Sequence, residues 1–172
     1  PGFAPEVSHL PNCTMTIEGT LVKDPDGKLL NLMRFGGDRC ILAYKADEND
    51  PEAILEYSHC IPFPANLSKF TIKQDSVTKK YYSIASRLHE TINTRRNLLS
   101  LMASDDLYNW YVVSDLLDYS KEDPDKIGFQ YVDFEFEGDD ILSLCRTAMN
   151  NAHNYHDANY STFHRIQNFR SL

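Results

Sequence analysis

Positive charge is scarce in this chain of 172 residues: 17 Lys and Arg stand against 25 Asp and Glu, a net charge of −8. A face that replaces the counterions of a phosphate backbone needs the opposite balance, so nucleic acid is not an expected partner. Long apolar runs are also missing. Nothing approaches the roughly 18 to 20 residues that cross a bilayer, and "PGFAPEVSHL" lacks the basic and apolar regions of a signal peptide. The chain opens on Pro1, which leaves room for an upstream portion carrying a signal or more of the fold, and the compartment stays open on this evidence. Cysteine is sparse as well. Cys13, Cys40, Cys60 and Cys145 form no C-x-x-C pair, which argues against a zinc ribbon or a thioredoxin-type site, and they are too few for a disulfide framework. Thiols, no metal and no cofactor are the expectation. Glycine numbers only seven, yet Gly19, Gly27, Gly128 and Gly138 fall at strand starts or turns.

A repeat is present. "EGTLVKDPDGKLLNLMR", "KFTIKQDSVTKKYYSIASR" and "QYVDFEFEGDDILSLCR" share apolar alternation, a polar turn, a second alternating run and a closing basic residue. Each reads as a β-hairpin, with turns rich in the Asp, Gly and Pro that turn geometry requires. Further strands follow at "CILAYKAD" and "AILEYSHCIPF", at "NLLSLMASDD" and "WYVVSDLL", and at "NYSTFHRIQNF". The one stretch with helical appeal, 85–97, is polar enough to be a long loop between strands. Units over about 14–64, 66–118 and 128–172 predict an all-β chain, a single partial β-propeller domain of about three four-stranded blades. Closed rings need about four to eight blades. Either further blades lie upstream in a five- or six-bladed ring, or copies associate through open sheet edges.

"ASDDLYNW", residues 103–110, carries a resemblance. Its Ser-x-Asp-Leu-x-x-Trp order is similar to the Asp-box turns of sialidases and of other propeller glycoside hydrolases, five-bladed ones included, although the glycine and threonine of the full box are absent. With "GFQYVDFEFEGDDILSLCRTA" and "HDANYSTFHRIQNFR", most of the chain resembles the later blades of bacterial sialidase-like (BNR-repeat) proteins. The resemblance implies that Asp106 accepts backbone N–H bonds, that Leu107 and Trp110 pin the turn, and that this turn lies away from the catalytic face. It also implies a secreted, carbohydrate-active protein, a sialidase-like exo-glycosidase acting on an acidic or complex glycan. The rival reading is a propeller that binds glycan without cleaving it.

Repeat register places candidate residues. Glu18 and Gln130 each lie 16 residues before Arg34 and Arg146, and Lys69 takes the matching place before Ser86, so Glu18, Lys69 and Gln130 are expected to ring a pocket. Arg34, Arg87 and Arg146 end the second strands. As a triad they suit a carboxylate, since the planar guanidinium bonds it in bidentate fashion; alternatively they bond turn carbonyls. The register puts Ser86 rather than Arg87 level with the other two, and a shift of one residue reverses the face.

The stretch "HNYHDANYSTFHRI", 153–166, holds three of the six histidines. As a loop on the arginine end it offers His156 and Asp157 for acid–base work, beside Glu18 of the first hairpin, and Tyr160 as a nucleophile, while His153 and Asn159 suit sugar contacts. A metal held by His153, His156 and Asp157 has suitable donors but no specific signature. A plain structural loop remains open, and His164 and Arg165 belong to the strand that follows. Asn12, Asn66 and Asn159 head glycosylation triplets of the kind that arise by chance.

Overall fold

The computed structural model describes residues 16–35, 39–65, 67–89, 91 and 94–172. Cys13, Asn12, Asn66 and the glycines of "FGGD" lie outside them. Eleven strands are described: β1 (Thr16–Lys23), β2 (Leu29–Phe35), β3 (Cys40–Lys45), β4 (Glu56–Pro62), β5 (Ile72–Gln74), β6 (Tyr81–Ser86), β7 (Leu98–Ser104), β8 (Trp110–Asp118), β9 (Gly128–Glu137), β10 (Asp140–Ala148) and β11 (Tyr160–Ile166). They form three antiparallel meanders, β1-β2-β3-β4, β5-β6-β7-β8 and β9-β10-β11. A 3₁₀ turn, Phe169–Ser171, follows the last strand. The architecture is that of a partial β-propeller. Among the described residues no helix is long and apolar enough to cross a membrane.

The middle sheet is buried on both faces. Every residue of β6 and β7 is inaccessible, and period-two alternation sends neighbours to different cores. Tyr81, Ala85 and Met102 meet Leu30, Leu32, Ile41 and Phe63 of the first sheet. Tyr82, Ile84, Leu99 and Leu101 meet Phe129, Val132, Phe134 and Ile141 of the third. A strand covered on both faces loses polar alternation, hence "LLSLMAS". Four serines, Ser83, Ser86, Ser100 and Ser104, lie buried in these strands, and the Ser86 hydroxyl is satisfied by the Phe129 carbonyl across the sheet boundary.

The first and third hairpins share a bulge. Arg34 faces Ile17 and Met33 faces Gly19, leaving Glu18 as the extra residue at φ 47°. Arg146 faces Gln130 and Leu144 faces Asp133, and Tyr131 between them has φ 54°. Positive φ in a side-chain-bearing residue is strained, and a bulge of this kind re-aims one side chain out of the pleat. The counterpart of Glu18 is therefore Tyr131, and that of Gln130 is Ile17. Equal spacing from the arginines misleads because the third hairpin has longer strands but a shorter turn, Gly138-Asp139, than the first, 24–28.

The turn at 104–110, between β7 and β8, is held by its own side chains. Asp106 accepts the amides of Tyr108 and Asn109 at 2.9 and 2.7 Å. Leu107 is fully buried in the core between the first two sheets, and the Trp110 ring stands edge-on to Phe63 at 5.1 Å. The Tyr108 hydroxyl donates to Asp24, in the turn of the first hairpin. This end of the molecule is opposite to the one that carries Glu18, Arg34, Gln130 and Arg146.

Candidate active site

Both bulges throw their side chains toward one polar cluster. Glu18 accepts from Arg34 at 2.9 Å. Arg34 and Arg96 both donate to the Leu67 carbonyl, at 3.0 and 3.1 Å. Arg96 also donates to the Gln130 amide oxygen, and the Gln130 amide nitrogen donates to the carbonyls of Tyr155 and His156 at 3.2 and 2.6 Å. Arg146 reaches the same His156 carbonyl at 3.4 Å. The Tyr131 ring lies between charges, 5.1 Å from the Arg146 guanidinium and 6.0 Å from that of Arg96. Tyr155 is approached by Arg95 and Arg96 at 5.2 and 5.4 Å. A cavity of about 470 Å³ opens here, lined by Arg34, Leu67, Leu88, Thr94, Arg95, Arg96 and Tyr155.

Charge is unevenly compensated in this cavity. Glu18 answers Arg34, and Asp125 answers Arg95 at 3.0 Å. Arg96 is 8% exposed and is held by neutral oxygens. Burial and the neighbouring Arg34 charge pull its guanidinium below its ordinary value. Glu18 acts on it only at a distance, without a hydrogen bond, and a buried cation bonded only to neutral oxygens favours an anion or dense hydroxyls in the cavity beside it.

The loop between β10 and β11 forms the rim. Asp157 is flanked by two imidazoles, His153 Nδ1 at 2.9 Å and His156 Nδ1 at 3.3 Å, and accepts from the Asn154 amide at 2.8 Å. The bonds from His153, His156 and Asn154 hold its carboxyl down at about 2, so it is a carboxylate at any physiological pH. It suits the role of a base or of an imidazole-orienting group, not of a general acid. Asn154 Oδ1 caps the amides of His156 and Asp157 at 2.8 Å each, and Asn159 closes the loop by exchanging two bonds with the Met149 backbone. Gly128 lets the loop approach, since a Cβ there would overlap the Tyr155 carbonyl.

The structure thus brings together Glu18, Arg34, Gln130 and Arg146, with His153, His156 and Asp157 on the loop that Gln130 and Arg146 anchor. Three candidates stand apart. Arg87 turns to the other face, as alternation from Ser86 demands, and makes a two-bonded pair with Asp115 of β8, both contacts at 2.8 Å; the triad of Arg34, Arg87 and Arg146 does not assemble. Lys69 precedes β5 by three residues and does not line the cavity. Tyr160 sits on β11, facing Thr147 and 45% exposed, two strands out from β9 and so about 9 to 10 Å from it; Glu18 pairs with Arg34 instead. Arg96, Tyr131 and Tyr155 were missed. Arg96 lies in a polar loop without periodicity, but buried Phe129 and Val132, three apart in "GFQYV", break the period of two and mark the bulge. Among the described residues no group of three or more His, Cys, Asp or Glu is arranged to hold a metal ion.

No protein-family model and no curated protein matches the chain. Solved structures do. An α-L-arabinanase of Penicillium chrysogenum complexed with arabinobiose superposes with a TM-score of 0.58 at 12% identity, over 96% of this chain and 49% of that one. An α-L-arabinofuranosidase from Fusarium graminearum, bound to an iminosugar inhibitor, gives 0.57 at 11% identity, over 90% and 46%. A β-1,3-galactosidase with galactodeoxynojirimycin gives 0.50 at 16%, over 89% and 42%. The chain spans about half the length of these structures or less, and at such identities the likeness establishes the fold.

Proposed function

We propose that the chain is part of a β-propeller glycoside hydrolase whose substrate enters the cavity beside Arg34, Arg96 and Tyr155. The observation that carries this reading is the convergence of the two inner-strand bulges: Glu18 and Tyr131 are forced out of their pleats toward the same end on which the His153–Asp157–His156 rim is fixed. Strain retained twice at equivalent places is the mark of a site rather than of a scaffold. Solved structures of the same fold with arabinobiose, an iminosugar and a deoxynojirimycin bound support a glycan as ligand.

In this reading Asp157 orients His156 and His153 through their Nδ1 atoms, leaving each Nε2 to carry or take a proton at the glycosidic oxygen or at water. Glu18, held by Arg34, is the second carboxylate of the site. Arg96 and Arg146 stabilise an acidic or heavily hydroxylated sugar, which is where the sialidase-like character lies, and Tyr131 offers an apolar ring face. Periplasmic or extracellular location belongs to the same reading.

The test is hydrolysis of a broad panel of aryl glycosides and glycans by the protein and by Asp157→Asn. Loss of about 10²-fold or more in kcat/KM, with an unchanged melting temperature, is expected. Equal rates remove Asp157 from the mechanism. Binding on a glycan array with no turnover of any bound sugar instead supports the non-catalytic propeller.

A further inference from the structure

Outside the central cluster, the outer face of the first sheet carries an apolar patch built on Leu42 and Tyr44, with Met33, Cys40, Leu55, Tyr57 and Cys60 packed against them. Two cysteines meet there. Cys40 faces Pro62 and Cys60 faces Leu42, so the pair lies on one face of neighbouring strands as diagonal neighbours, offset by two residues of the register. Their sulfurs are in contact: the Cys40 thiol donates to Cys60 Sγ at 3.4 Å. Both residues are partly accessible, whereas the third described cysteine, Cys145, is 1% exposed.

We propose that Cys40 and Cys60 form an oxidation site that closes to a disulfide in an oxidising medium. A sulfur–sulfur bond needs about 2.05 Å, so closing it from a 3.4 Å contact between diagonal neighbours draws the two side chains and their strands together. With oxidised glutathione as the oxidant, one cysteine thiolate attacks its disulfide, releasing one glutathione thiol and leaving a mixed disulfide. The second thiolate attacks the cysteine sulfur of that mixed disulfide, forming the Cys40–Cys60 bond and expelling the other glutathione thiol. Two electrons pass to the glutathione pair, and the two protons lost by the cysteines appear on its thiols or in solvent. The bond staples β4, the outermost strand of its sheet, to β3 at the end of the hairpin remote from the loop 46–55, and encloses the whole segment from Cys40 to Cys60. Removing loop freedom from the unfolded chain is what stabilises. The inference does not depend on the function proposed above.

The experiment compares the full chain equilibrated in oxidised and in reduced glutathione, trapped with N-ethylmaleimide and mapped by peptide mass. A linked peptide joining Cys40 to Cys60 is expected only after oxidation, with Cys145 still a thiol. The oxidised form should melt roughly 5 °C above the reduced one, a shift that Cys60→Ser abolishes. Alkylation of both Cys40 and Cys60 in the oxidised, folded protein overturns the proposal. So does a stable glutathione adduct on either, or a link from either to Cys13. Should Cys60→Ser fail to fold, the peptide map of the unaltered chain still decides.

Discussion

Gly128 shows how one residue holds the candidate site in place. Its Cα lies so close to the rim loop that a Cβ would overlap the backbone oxygen of Tyr155, whose carbonyl also accepts from Gln130. Backbone cannot rotate aside, so Gly128→Ala should cost about 1 to 3 kcal/mol in chemical denaturation and displace the His153–Asp157 rim. Gly19→Ala is the contrast. The atoms nearest the added methyl are all in the Asn31 side chain, which can swing away, and a change under about 1 kcal/mol is expected; equal costs at both glycines would mean that the Tyr155 approach is not rigid. The matching places of Arg34 and Arg146 on their second strands were legible in the sequence because hairpin register is a local property, set by alternation and turn residues. Glu18 and Gln130, by contrast, were matched by a count that unequal strands and turns upset. The identity of their neighbours was not legible. Arg96 arrives from a loop with no period to read, and Tyr131 enters only because a bulge shifts the pleat, an effect that residue counting across unequal turns concealed.

Among the elements, the 3₁₀ turn at 169–171 ties two sheets together. Phe169 stacks beside Phe136 of β9 and edge-on to Tyr82 of β6, at 5.3 and 5.0 Å. The Arg170 guanidinium grips Asp75 at 2.8 and 2.7 Å, in the turn between β5 and β6, and reaches Asp139 in the turn between β9 and β10. The Asp75 side chain is 1% exposed, so Arg170→Met strands a buried carboxylate and should destabilise by about 3 to 5 kcal/mol. The Arg170 guanidinium holds the Asp75 carboxyl far below the usual carboxylate range; burial opposes this, and the Thr78 hydroxyl and amide reinforce it. A folded-state value below the unfolded one of about 3.9 gives stability that is complete at neutral pH and is lost as pH falls below about 4. Melting temperatures of the unaltered chain should therefore drop more steeply below that pH than those of Asp75→Asn, and parallel curves would refute the linkage. The turn at 104–110 adds a second such anchor. Burial works against the Asp106 charge, but bonds from Asn109, Tyr108 and Ser104 outweigh it and hold the carboxyl at about 2. Asp106→Ala leaves those donors in search of partners, at about 1 to 3 kcal/mol. "ASDDLYNW" announced this turn in the sequence because its bonds are local; nothing local announced that Asp75 and Arg170, 95 residues apart, would meet.

At the scale of the molecule, three sheets stack in chain order, and only the middle one has both faces covered by its described neighbours. That arrangement was legible as a propeller from the recurring hairpins, while the double burial of β6 and β7 was hinted at only by runs such as "LLSLMAS", which a buried helix would also permit. The third sheet turns an apolar pair outward. Leu144 of β10 and Phe163 of β11 face each other across the ladder and are 53% and 64% exposed. Blades of a propeller bury such faces against a neighbouring sheet. We infer that a second copy is the neighbour available to the isolated chain. Light scattering at rising concentration should then show a mass moving from one chain toward two, and Leu144→Glu combined with Phe163→Glu should hold it at one without lowering the melting temperature, because neither side chain contributes to the inter-sheet cores. A mass that stays at one chain up to the solubility limit removes self-association from the account and leaves those side chains as ordinary exposed surface.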